Sequence, residues 1–112
     1  MSGRARSRAV VILAAYPRLG PAERAARDLV ASRLAACATV TPGGRAYYRW
    51  EGRLHRDTSV LLWGKTTPSK ARAAIERIQK SHPDRVPEIL VLPVTGGHAP
   101  YLAWLRGEVA EK

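Results

Sequence analysis

The chain has 112 residues, 46% of them hydrophobic, and a formal net charge of +10. That composition supports one packed domain, excludes wholesale disorder and leaves little room for a second domain. No run approaches the roughly 18 apolar residues of a membrane span, and the single cysteine, Cys37, excludes an internal disulfide and fits a reducing compartment.

Residues 1–7, MSGRARS, read as a flexible basic tail, and 8–112 as a single domain. The arginines ahead of VVILAAY faintly suggest a secretory leader. That stretch is short, however, and runs into Pro17 and a basic helix, so a cytoplasmic protein is expected. Arg8 to Tyr16 reads as a buried first strand. In GPAERAARDLVASRL, Pro21 suits a first helical turn, and Ala22, Ala25, Ala26, Leu29, Val30 and Leu34 recur at helical spacing.

AACATVTPGGRAYYRW then turns to β-type residues, with Pro42-Gly43-Gly44 expected to bend one long strand rather than end it. Beyond the bend Ala46, Tyr48 and Trp50 share one face, and Arg45, Tyr47 and Arg49 the other. Glu51-Gly52 reads as a tight hairpin turn, and RLHRDTSVLLWGKT returns as the third strand. Thr67-Pro68 caps and opens a second helix with Ala71, Ala74, Ile75 and Ile78 facing inward. Pro83 disfavours helical geometry at His82 and stops it. VPEILVLPV is a fourth strand, so apolar that a central place in the sheet is expected. PYLAWLRGEVAEK closes the chain as a helix.

The order β-α-β-β-α-β with an extra C-terminal helix predicts an α+β, ferredoxin-like fold. Its hairpin is longer than two helices can cover. The outer half carries Tyr47, Tyr48, Trp50, Leu54 and Trp63 on a two-stranded ribbon that is marginal alone in water. The ribbon is therefore expected to pack against another subunit of a closed homo-oligomer.

Little in the chain suggests catalysis. Cys37 lies among alanines, where a small packed thiol is the ordinary outcome, and the glycine doublets are not phosphate loops. His55, His82 and His98 lack metal-ligand spacing within one chain. His55 reads as surface, and His98 as part of the turn into the last helix. His82 has a structural use beside the last carbonyls of the second helix, or a ligand role with Asp84 or Glu88 as partner. The arginines are scattered along the sequence, which suits a solvated surface better than a nucleic-acid face.

RLAACATVTPG, YRWEGRL, LLWGKT, HPDRVPEILVLPV and GHAPYLAWL, in this order and spacing, resemble the CutA family from about Val10 to Val109. The resemblance implies a homotrimer of ferredoxin-like subunits, joined partly through long hairpins, and a non-enzymatic role in tolerance to divalent metal cations. It implies Cu(II) or another divalent cation as ligand, with His82 and Glu88 as metal candidates from the family's His-Pro…Pro-Glu stretch. The trimer also looks like that of PII signalling proteins. That makes a sensor or scaffold the alternative, with a small anionic ligand in an inter-subunit cleft lined by Tyr48, Trp50, Lys65, Tyr101 and Trp104. Two positions depart from the family pattern. Ala14 stands where copper-binding members carry a cysteine, and Asp84-Arg85 follow His-Pro where Tyr and Glu or Gln are common. Without that thiolate, imidazole and carboxylate remain, a set suited to Cu(II) or Zn(II). A nucleic-acid binder ranks last among the readings, suggested by the charge and by the arginine-flanked aromatics of RAYYRWEGRLHR, where stacking rings beside cations suit single strands; no organic cofactor or membrane is expected as a partner.

Overall fold

The computed structural model describes residues 8–110, so the expectation for the first seven residues lies outside it. Strand β1 (Ala9–Tyr16) leads to helix α1 (Leu19–Ala31). Strands β2 (Cys37–Trp50) and β3 (Arg53–Thr66) form the hairpin, and helix α2 (Pro68–Ser81), strand β4 (Ile89–Val94) and helix α3 (Ala99–Val109) complete the chain. The sheet is antiparallel throughout, in the order β2-β3-β1-β4, which is the expected ferredoxin-like arrangement.

Alternation along β1 explains the two layers. Ile12, Ala14 and Tyr16 point towards α1 and α2 and pack with Leu29, Leu62 and Ile78 in the main core. Ala9 lies on the opposite face, where α3 closes a smaller cluster through Leu102, Leu105 and Val109, with Ala36 beside them. Arg77 of α2 grips Asp28 of α1 with two bonds of 2.8 and 3.0 Å, fixing one helix against the other.

The central place expected for β4 is wrong: β4 is an edge strand, paired with β1 alone. Pro93 tolerates that position because an edge needs no second set of amide donors. The strand's apolar run is nevertheless real. Leu90 and Leu92 share a face with Leu13 and Val11, on the side away from α1 and α2, and remain 49% and 38% exposed. Trp63 joins them across β1. The sheet's second face thus carries an apolar strip at its β4 edge.

The bend in β2 is a β-bulge, with the register shifting between Thr41 and Gly44. Gly43 has φ 89°, and a Cβ on Gly44 would lie 2.7 Å from the Ser59 carbonyl oxygen, so both positions call for glycine. At the hairpin tip Glu51 and Gly52 both have positive φ, 52° and 79°, the pattern of a type I′ turn. Each hairpin strand has 14 residues and spans about 46 Å, which sets the molecule's 47 Å long axis. α1 stops at Ala31, three residues short of the periodic stretch, and Arg33 takes the left-handed conformation that ends many helices. Thr67 stands at the N-cap of α2, but its hydroxyl meets the Ser69 hydroxyl at 3.2 Å instead of bonding a helix amide.

Candidate functional site

His82 is held on every side. It is the C-cap residue of α2, and Pro83 after it keeps its backbone extended. Its side chain is fully buried, and its ring stacks on Tyr16 with centroids 4.2 Å apart. Nδ1 accepts the Asp84 amide hydrogen at 3.0 Å, which leaves the ring proton on Nε2; Nε2 donates it to the Ala15 carbonyl at 2.7 Å. The ring's acceptor is therefore β1, not the last carbonyls of α2 that the sequence suggests. The neutral tautomer written by this network has no lone pair left for a cation. Tyr16 beneath it has a buried hydroxyl without a partner among the described residues, and burial pushes its pKa up to about 12.

Glu88 does not complete a metal pair with this histidine. Its side chain is exposed at the start of β4, and it is its carbonyl that is used, accepting the Ala15 amide at 3.1 Å. Ala15 thus donates its N–H to Glu88 and receives the His82 ring on its C=O, which pins the 82–88 loop to the end of β1. Asp84 and Arg85 are exposed, and Ala14, in the position of the absent cysteine, is wholly buried in the main core. Among the described residues no three His, Cys, Asp or Glu side chains lie close enough to hold a metal ion. The described residues of one chain do not form a closed cation site.

The five cleft candidates fall into two groups. Lys65, Tyr101 and Trp104 gather at the end of the second sheet face. Lys65 Nζ donates to Thr39 Oγ1 at 2.9 Å and lies directly across from Cys37, whose Sγ is 3.8 Å from the Tyr101 hydroxyl. Tyr101 leans on Trp104 with ring centroids 5.6 Å apart. Burial, then the Cys37 hydrogen bond, raises the pKa of Tyr101. Cys37 is half-buried rather than packed away, a placement that its alanine neighbours in the sequence conceal.

Tyr48 and Trp50 lie at the far end of the hairpin, about ten residues or 33 Å along β3 from Lys65. Tyr48 stacks on His55 across the ribbon (5.2 Å between centroids) and donates a hydrogen bond to Asp57, which raises its pKa. His55 is accordingly half-covered instead of free on the surface. The Tyr48–His55–Asp57 group was not legible as a unit, although its one-face spacing on a hairpin of known turn was the available sign. His98 caps α3, its carbonyl accepting the Leu102 amide at 3.0 Å. The two groups of cleft residues can line one site only if the hairpin of one subunit reaches the α3 end of another.

Residues 10–108 match the family model described as CutA1 divalent ion tolerance protein. The divalent-cation tolerance protein CutA of Pectobacterium atrosepticum is 42% identical over 109 residues, covering 97% of this chain and 99% of its own. That of Citrobacter koseri is 43% identical over 101 residues, covering 90% and 88%. Among solved structures, CutA from Xylella fastidiosa superposes with a TM-score of 0.89 at 37% identity, covering 92% of this chain and 99% of its own. The divalent cation tolerance protein of Thermus thermophilus gives 0.88 at 39% identity, covering 91% and 99%. With the fold, the ordered motifs and the full-length match in agreement, this chain belongs to the CutA1 divalent ion tolerance family.

Proposed function

We propose that this chain is a non-enzymatic, cytoplasmic component of divalent-cation tolerance that works as a homotrimer, with the cation held by side chains from more than one subunit. The observation that carries the reading is the apolar strip of exposed Leu90 and Leu92 with half-buried Leu13 and Trp63 on a chain of this family. Such a strip on a small domain needs a partner surface, and a closed ring of copies supplies one for every subunit. The donor chemistry supports the division of labour. His82 is consumed by the fold, so the available donors are the exposed carboxylates and the hairpin imidazole, a hard to borderline set that suits Cu(II) or Zn(II).

The test pairs mass with titration. Light scattering gives the assembly state of the wild-type chain and of Leu90→Asp, which places a charge on the strip, and calorimetry follows Cu(II) and Zn(II) added to each. A trimeric wild type that binds a cation at a fixed ratio, with a monomeric variant that does not, supports the proposal. A wild-type monomer at micromolar concentration, or equal cation uptake by both proteins, overturns it.

A further inference from the structure

The net charge of +10 is scattered along the sequence, but the hairpin register sorts part of it. Past the bulge, the pairs Arg45–Thr58, Tyr47–Arg56 and Arg49–Leu54 lie on one face of the ribbon. The pairs Ala46–Asp57, Tyr48–His55 and Trp50–Arg53 lie on the other. The first face therefore carries three arginines, a tyrosine and no carboxylate. Tyr47 is 65% exposed and Leu54 72%, so no described residue covers it. None of the three arginines has an ion-pair partner among the described residues. The opposite face is built differently, with Asp57 taken by the Tyr48 hydroxyl and His55 stacked on the same tyrosine.

We infer that the Arg45–Tyr47–Arg49–Arg56 face of the hairpin is a docking surface for single-stranded nucleic acid. The unpaired guanidinium groups supply counterion release along a phosphate chain, and Tyr47 between them offers a stacking platform for an unpaired base. A duplex keeps its bases stacked internally and has no use for that ring. The face also has no Asn or Gln with which to read base edges. Inorganic polyphosphate would meet the arginines and gain nothing from Tyr47. This face is the reverse of the one bearing Tyr48 and Trp50. The inference does not depend on the cation reading.

The experiment is fluorescence anisotropy with a labelled oligothymidylate of about 12 nucleotides, competed by its duplex and by inorganic polyphosphate. Assembly mass is checked on every variant. Three phosphate contacts predict a log–log salt slope of about −2, or about 20-fold weaker binding for a fourfold rise in salt. Arg45→Gln/Arg49→Gln/Arg56→Gln should lose tenfold or more. Arg24→Gln/Arg27→Gln/Arg72→Gln, which removes the same charge from the helices, should stay within twofold. Tyr47→Ala should weaken binding at least about fivefold, the low end for one stacked base. The inference is overturned by no binding at low salt, or by equal losses in the two triple variants. An unchanged Tyr47→Ala with polyphosphate competing as well as the oligonucleotide also overturns it.

Discussion

Replacing His82 by alanine separates a structural histidine from a ligand. The ring makes two hydrogen bonds, to the Ala15 carbonyl and from the Asp84 amide, and one stack on Tyr16. Each hydrogen bond contributes about 1 kcal/mol net, with more lost when a shielded partner is left unpaired. The stack adds about 0.5–1.5 kcal/mol beyond its area. The expected loss is therefore about 3 kcal/mol, a large share of the stability of a domain this size. Urea unfolding at one fixed protein concentration reads this directly, because assembly would otherwise move the midpoint. Cu(II) and Zn(II) titrations on the same samples, under conditions where both remain folded, should give the same stoichiometry and affinity for the two proteins. The opposite pattern would refute the reasoning. If His82→Ala keeps its stability within about 1 kcal/mol and loses the cation, the ring's lone pair serves a metal and not the Asp84 amide.

Four further outcomes follow from local structure. Tyr16→Phe removes a buried hydroxyl that has no partner among the described residues, so unfolding should show it neutral or about 1 kcal/mol more stable. The same residue sets an alkaline limit. A phenol at about 12 in the fold and 10 in the unfolded chain contributes stability that is complete below pH 10. That contribution is lost as pH rises to 12, and the loss, of order 2–3 kcal/mol, should shrink in Tyr16→Phe melts. Glu51→Asn suits the positive φ at the first turn position and should raise stability by about 0.5–1 kcal/mol, seen as a higher Tm. Gly44→Ala drives a Cβ to 2.7 Å from the Ser59 carbonyl oxygen and should cost about 2 kcal/mol, with amide exchange accelerating along β2.

What the sequence could not show is mostly a matter of which neighbour a residue meets. Turn and bulge chemistry is local, so Pro42-Gly43-Gly44 and Glu51-Gly52 could be read directly and the hairpin followed from them. The place of β4 is not local. An apolar run of six residues serves a strand buried between two neighbours and a strand at the sheet edge equally well, and ILVLPV belongs to the second kind. The same exposed leucines that misplace β4 are the ones that support assembly, so the error and the proposed interface have a single cause. His82 is legible only in part for a related reason: Pro83 marks it as the end of the second helix, but not which groups its ring meets. Its sequence neighbours Pro83, Asp84 and Glu88 suggest a ligand set, whereas its ring reaches Ala15, 67 positions away, across the sheet. A histidine whose two nitrogens are engaged by backbone groups from two segments is a clasp between them. The family motif around it then carries structural information as well as whatever it carries about cations.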